Sequence, residues 1–339
     1  MFAIPNGNRL QSITGPRVLS GRRMFCPWSM AGKKWLILGA LILLISCATP
    51  SKEAPQGSPA RYHNRMGLAF LRDGKINRAI AEFQKAIQAE PQYAESHFNL
   101  GLVYYRRGMI NASLIQFEKA IDLDPTYAEA YYRIGIIYHG RGDLERAIES
   151  YCKTVKKSPA HARAHFNLAV AYETQGRLTE AICAYRRVID INPGFIAARN
   201  RLGLVLEQRG KFEEAITEYQ ASVKVDPANA ETYNLLGGAF FRTGAYGEAF
   251  VAWDKALMIH PEYPEVPFNM GLAHMNMGQL NEAIAAFKKA IDLKPDFALA
   301  HLNLGKAYYM NNMKKEAAQA WNRARQLDPR IELKGLPGL

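Results

Sequence analysis

The sequence lacks the motifs that mark common catalytic centres. Its 339 residues contain no glycine-rich phosphate loop, HExxH zinc motif, paired CxxC or GxSxG elbow. Only four cysteines occur, and they are far apart in the chain. His161 and His165 lie four residues apart, but no third metal ligand accompanies them. We therefore predict that the protein is not an enzyme and that it binds neither a cofactor nor a metal.

Acidic residues are missing from the start of the chain, where none precedes Glu53. The formal net charge is +12, and half of it corresponds to six of the seven basic residues in this segment: Arg9, Arg17, Arg22, Arg23, Lys33 and Lys34. Basic and acidic residues are mixed in the rest of the chain. Because no basic stripe or stacking platform emerges, we predict that the protein does not bind nucleic acid.

The apolar run near the N-terminus is too short to span a bilayer comfortably. Trp35–Ile45 has eleven residues, whereas a membrane-spanning helix needs about 20. Lys33 and Lys34 precede the run, and Cys47 follows it after one serine. A short basic segment followed by a short apolar segment indicates a secretory signal.

One glycine position returns every 34 residues in the rest of the chain, and alanine replaces it once: Gly67, Gly101, Gly135, Ala169, Gly203, Gly237, Gly271 and Gly305. Sixteen residues after each of these comes an aromatic residue: Phe83, Phe117, Tyr151, Tyr185, Tyr219, Trp253, Phe287 and Trp321. A proline closes each copy: Pro91, Pro125, Pro159, Pro193, Pro227, Pro261, Pro295 and Pro329. The chain from residue 60 to residue 331 is therefore one unit copied eight times.

Each unit has the pattern of two helices joined by a tight turn. Residues 95–125 carry apolar side chains at helical spacing in two runs: Phe98, Leu102 and Tyr105, then Leu114, Phe117 and Ile121. Gly108 lies between the runs and predicts the turn. The recurring glycine falls where a side chain would hold the two helix backbones apart. The closing proline cannot continue the second helix and so ends the unit.

The repeated pattern resembles the tetratricopeptide repeat. The second copy shows it as Leu100, Gly101, Tyr104, Phe117 and Pro125. The position of the family's tryptophan differs in every copy. The resemblance implies an all-α, right-handed superhelical solenoid of eight tandem helix-turn-helix tetratricopeptide repeats of 34 residues over 60–331, followed by a C-terminal tail over 332–339.

Residues 44–47, Leu-Ile-Ser-Cys, resemble the lipobox of bacterial lipoproteins. This resemblance implies a signal peptide over 30–46 and a lipidated tether over 47–59, with the lipid on Cys47. Translation from Met30 or Met24 would make residues 1–29 an untranslated or dispensable extension. The mature protein would be anchored to a bacterial membrane and face the periplasm. Ala48 after the cysteine favours the outer membrane. The alternative is a signal anchor with an incidental cysteine.

In tetratricopeptide proteins the first helix of each repeat lines a concave groove, and the resemblance places two sets of residues there. The first resembles the asparagine ladder of the O-GlcNAc transferase repeats and would clamp a peptide backbone: Asn99, Asn167, Asn269 and Asn303. The second would contact apolar side chains of a partner: Phe98, Leu102, Tyr105, Tyr132, Phe166, Phe268, Leu272 and Met275. Helical spacing also allows solvated amides and core packing for these residues.

These observations predict a non-catalytic scaffold or adaptor lipoprotein. Its groove would bind peptide segments of partner proteins in a bacterial envelope complex. The combination of a lipobox with repeats resembles the pilotin lipoproteins of type IV pilus and secretion assembly. Three other interpretations stay open: an adaptor for peptidoglycan enzymes, a targeting subunit for a glycosyltransferase acting in trans, and a cytoplasmic scaffold if the lipobox is spurious.

Overall fold

The computed structural model describes residues 57–331 of the chain. The sequence predictions for Cys47, for residues 1–29 and 30–46, for most of the tether over 47–59 and for the tail over 332–339 concern positions outside this range. Sixteen helices and no strands occupy the described part: α1 Pro59–Arg72, α2 Ile76–Ala89, α3 Ala94–Arg106, α4 Ile110–Leu123, α5 Ala128–Gly140, α6 Leu144–Lys157, α7 Ala162–Thr174, α8 Leu178–Ile191, α9 Ile196–Gln208, α10 Phe212–Val225, α11 Ala230–Arg242, α12 Tyr246–Ile259, α13 Glu265–Asn276, α14 Leu280–Leu293, α15 Ala298–Met310 and α16 Lys314–Leu327.

The helices form eight pairs, one per repeat, as the 34-residue period predicts. The turn inside each pair needs one residue in the left-handed region, and glycine provides it in seven repeats, with φ between 71° and 80°: Gly74, Gly108, Gly142, Gly176, Gly210, Gly244 and Gly278. Asn312 takes this place in the eighth repeat with φ of 62°. Asparagine is one of the few other residues that tolerate this conformation.

The recurring glycine lies against the recurring aromatic ring, which confirms the predicted helix contact. A Cβ atom on Gly135 would lie 2.5 Å from Cε1 of Tyr151, closer than two carbon atoms can approach. The aromatic side chains at this position are almost fully buried in all eight repeats. In the second repeat the small residue opposite is Ser113, whose hydroxyl donates to the carbonyl oxygen of Gly101 at 2.9 Å.

Successive repeats stack in two layers. Each second helix packs on the first helix of the next repeat, and direct contacts also join first helices at α1–α3, α9–α11, α11–α13 and α13–α15. Among the described helices, no two second helices make contacts of that extent. The first helices therefore form the more crowded, inner layer, and the second helices form the outer layer. The result is an all-α helical-repeat solenoid. No helix between residues 57 and 331 is long and apolar enough to cross a bilayer.

Candidate functional site

The first helices of the last two repeats carry apolar side chains that are not fully buried. Phe268, Leu272 and Met275 follow one another at helical spacing on α13, so they share one face. Leu299, Leu302 and Met310 do the same on the neighbouring helix α15. We call these six residues the C-terminal groove.

Side chains of the C-terminal groove are only partly buried in the core. Four of them pack on the core cluster of the last two repeats and stay partly exposed: Phe268, Leu272, Met275 and Leu302. Leu299 is 37% exposed and Met310 is 54% exposed. Lys306 lies between Leu302 and Met310 on the same face and is half-buried. The surface is therefore apolar with one positive charge, which suits a partner segment with apolar side chains.

Two of the predicted apolar residues of the first half of the array are more deeply packed than those of the C-terminal groove. Phe98 and Tyr132 are each 7% exposed, and each ring contacts the aromatic residue of its own repeat. Phe166 is half-buried and stacks on Phe195 with 5.1 Å between ring centroids. Leu102 is also half-buried and packs on the core. Tyr105 is 36% exposed, so its ring is available at the surface.

Three of the four predicted asparagines link neighbouring first helices. Asn99 donates to Oδ1 of Asn64 in the preceding repeat at 3.0 Å. Two more asparagines donate in the same way to the residue 35 positions earlier in the chain. Asn167 donates to the hydroxyl of Tyr132 at 3.3 Å, and Asn269 donates to Oδ1 of Asn234 at 3.0 Å. Each of these bonds needs a polar acceptor in the preceding repeat. The sequence contains these acceptors, but the repeat pattern does not distinguish them from other polar residues. The side-chain amides therefore link neighbouring repeats, and peptide clamping by them stays a prediction.

Asn303 shows what happens when that polar partner is missing. The corresponding residue of the preceding repeat is Phe268, which cannot accept a hydrogen bond. Asn303 instead donates to the carbonyl oxygen of Leu299 on its own helix at 2.9 Å. Its side chain is half-buried on the face that also carries the C-terminal groove.

Two carboxylates of the inner layer accept hydrogen bonds from the tyrosines that pack on the recurring small residue. The hydroxyl of Tyr185 donates to Oε2 of Glu173 at 2.6 Å, and that of Tyr219 donates to Oε1 of Glu207 at 2.7 Å. Sequence reasoning missed this pair. A usable signal was present, because each glutamate lies twelve residues before a buried tyrosine whose hydroxyl needs a partner.

Burial makes Glu207 a source of pH-dependent stability. Desolvation raises its pKa above the usual value of 4.5, and the hydrogen bond from Tyr219 only partly opposes this. The folded chain therefore keeps this proton to a higher pH than the unfolded chain. The resulting stabilisation is complete below pH 4.5 and is lost as the pH rises through the raised pKa.

Glu207→Gln should therefore raise the free energy of unfolding near neutral pH, because the amide carries no charge and can still accept from Tyr219. The advantage over the wild type should shrink as the pH falls toward 4.5. Urea unfolding at a series of pH values measures this difference. Glu213→Gln, an exposed change on α10, is the control and should alter stability by less than about 0.5 kcal/mol. An advantage that grows on acidification would contradict the assignment.

Comparison with protein families identifies the class. The family described as "TPR repeat" matches residues 67–108, 103–142, 208–244 and 275–312. Two families described as "Tetratricopeptide repeat" match residues 132–194 and 298–331. Together the matches cover most of the helical array, and the chain belongs to the tetratricopeptide repeat family. This family is generally a non-catalytic scaffold that binds protein or peptide partners.

Solved structures with the same fold are numerous. PilF of Pseudomonas aeruginosa is 16% identical with a TM-score of 0.51, and the match covers 61% of this chain and 95% of PilF. Cut9–Hcn1 of the APC/C is 18% identical with a TM-score of 0.50, covering 78% of this chain and 52% of that one. MamA is 28% identical with a TM-score of 0.44, and the match covers 48% of this chain and 95% of MamA. The first two likenesses establish the fold. No curated protein matched the sequence.

Proposed function

We propose that the chain is a lipid-anchored scaffold of the bacterial envelope that holds an apolar segment of a partner protein in the C-terminal groove. The observation that carries the binding part is the partly exposed apolar face shared by α13 and α15. Family membership supports a protein partner. The groove lies on the inner layer, where a bound segment would contact two adjacent repeats at once.

The location in the envelope is supported by the sequence around Cys47. The basic residues, the short apolar run and the lipobox-like tetrapeptide together favour a lipoprotein in the periplasm, with Ala48 favouring the outer membrane. The arrangement of a lipobox ahead of repeats further suggests type IV pilus or secretion assembly as the process served. A tether of about a dozen residues would reach at most roughly 40 Å from the membrane to the first repeat.

Site-specific photo-crosslinking in cells tests the groove. A photoreactive amino acid replaces Met310 in one variant and Met258 in the other. Met258 is the matched control because it is 73% exposed on α12, in the outer layer. We expect a discrete adduct from position 310 and none of that size from position 258. Leu299→Asp should abolish the adduct, since a charge on the groove face opposes apolar contact. The same adduct from both positions would exclude the groove as its origin.

The anchor is tested separately by metabolic labelling with a fatty-acid analogue. Wild type should incorporate the label and sediment with membranes, whereas Cys47→Ala should lose both properties. Equal absence of label in the two proteins would refute the lipid anchor and leave the groove experiment unaffected. The two parts of the proposal therefore stand or fall independently.

A further inference from the structure

A cavity of about 300 Å³ opens on the outer layer, where the second and third repeats meet. Helix α5 forms its floor with Tyr131, Ile134 and Tyr138, while α4 and α6 form the two walls. The cavity lies on the opposite layer from the C-terminal groove, so it belongs to a different site. Its floor is apolar and aromatic, which suits the stem of a long side chain.

The positive charges around the cavity are already compensated by the protein. Arg146 pairs with Asp143 and lies over the ring of Tyr138, with 4.4 Å from Cζ to the ring centroid. Lys153 on the same wall pairs with Glu149 at 2.7 Å. Both cations of α6 that line the cavity therefore have a carboxylate of their own helix or helix cap as a partner.

The carboxylates on the opposite wall are not compensated. Glu118 and Asp122 lie four residues apart on α4, on one face of the helix, and both are exposed. Neither makes an ion pair or a hydrogen bond within residues 57–331. The cavity therefore combines an apolar floor with two carboxylates that lack a cation, and its local charge favours a positively charged group.

At the corresponding junction between the fourth and fifth repeats, a salt bridge crosses the space that is open in the cavity. There Arg186 on α8 reaches across to Glu214 on α10, and the two groups lie 2.9 Å apart. The equivalent positions at the cavity are Glu118 and Arg146, with the charges exchanged. That pair does not form, and Arg146 instead pairs with Asp143 and lies over the ring of Tyr138. The cavity remains open where an internal salt bridge would otherwise cross it.

A short side chain enlarges the cavity further. In the second and fifth repeats the position of Ser150 holds a long polar residue that bonds to the first helix of its own repeat, as Glu218 does to Arg199 at 2.8 Å. Ser150 instead donates to the carbonyl oxygen of Arg146 on its own helix at 2.8 Å. No side chain at this position reaches Tyr131, and the ammonium group of Lys153 lies over its ring at 5.9 Å.

We propose that this cavity binds an arginine side chain from a segment of a partner protein. The planar guanidinium can pair with Glu118 or Asp122 through two parallel hydrogen bonds, which an ammonium group cannot do. Its aliphatic stem would lie along Ile121 and Ile134. The inference does not depend on the C-terminal groove or on the lipid anchor.

The test uses a peptide probe, acetyl-Gly-Arg-Gly-amide, and its neutral isostere in which citrulline replaces arginine. The full-length chain carries labelled tyrosine, and NMR follows the ring signals of Tyr131 and Tyr138 during each titration. We expect the arginine peptide to shift both signals with a Kd on the order of millimolar, as one side chain allows. Citrulline should weaken binding about tenfold.

Three variants locate the interaction. Glu118→Gln with Asp122→Asn should abolish the shifts. Asp143→Asn keeps the cap of α6 but frees Arg146 to pair with Glu118, so it should weaken binding several-fold. Asp254→Asn, at the position of Glu118 in the sixth repeat, should change nothing. Equal binding of the citrulline peptide, shifts that persist in the double variant, or no shift of either ring at about 10 mM arginine peptide, well above a millimolar Kd, would each overturn the proposal.

Discussion

Trp253→Ala is expected to lower the free energy of unfolding by about 3–5 kcal/mol. The indole is fully buried and packs between Phe241 and Phe250. Its Nε1 donates to the carbonyl oxygen of Asn234 at 3.3 Å. Truncation would leave a cavity between α11 and α12 and remove a partly buried hydrogen bond, so both losses add. Urea-induced unfolding followed by circular dichroism measures the change.

Trp253→Phe is the matched control, because phenylalanine is the natural residue at this position in three repeats: Phe83, Phe117 and Phe287. It keeps an aromatic ring against Gly237 and loses the indole N–H. We expect it to cost about 1–2 kcal/mol, close to the value of one buried hydrogen bond with a small change in packing. If Trp253→Ala proved no worse than Trp253→Phe, the ring would not be a determinant of stability.

The fold could be predicted from the sequence because its period is unbroken. Eight copies in register fix the helix pairs, and the same spacing places each small residue opposite an aromatic ring. Even the turn of the eighth repeat follows, since Asn312 replaces the glycine of the other seven copies. Local pattern and tertiary packing agree at every one of these positions, which is typical of a sequence that specifies one structure.

The candidate site was harder to predict for a geometric reason. One face of each first helix points partly to the inner surface of the array and partly to the neighbouring helix. Which side chains on that face are buried depends on the size of residues one repeat away. Phe98 is 7% exposed, whereas Phe268, the equivalent residue of the seventh repeat, is half-buried although an aromatic ring lies 4.9 Å from each of them. The side-chain amide of Asn99 donates a hydrogen bond to Asn64, which lies 35 residues earlier in the chain. Such pairings depend on two repeats together and are not visible in one.

The outer cavity was equally hidden from the sequence. Glu118 and Arg146 occupy the positions that form a salt bridge at another junction, so their charges alone favour a closed groove. In the structure Arg146 pairs with Asp143 at the cap of α6 and not with Glu118. A local pair does not by itself exclude the longer one, because Glu214 pairs with both Lys211 and Arg186. The charge pattern alone therefore does not tell which of these pairs forms.

Adjacent glycines on α11 should respond in opposite directions to the same substitution. A Cβ atom on Gly237 would lie 2.5 Å from Nε1 of Trp253, whereas one on Gly238 would meet nothing within 4 Å. We expect Gly237→Leu to destabilise the protein by about 1–3 kcal/mol or more through overpacking. Gly238→Leu should stabilise it by up to about 1 kcal/mol, because leucine favours the helix and the site is open.

The pair of glycines separates packing from helix propensity, since both substitutions make the same change to α11. Thermal unfolding of the two variants supplies the comparison, and stabilisation by both would show that the glycine does not set the distance between the helices. The double variant Gly237→Leu with Trp253→Ala adds a direct test of the contact. The leucine can enter the space left by the indole, so the double variant should be more stable than the sum of the single effects by about 0.5–3 kcal/mol. Strict additivity would mean that the two residues do not share one packing site.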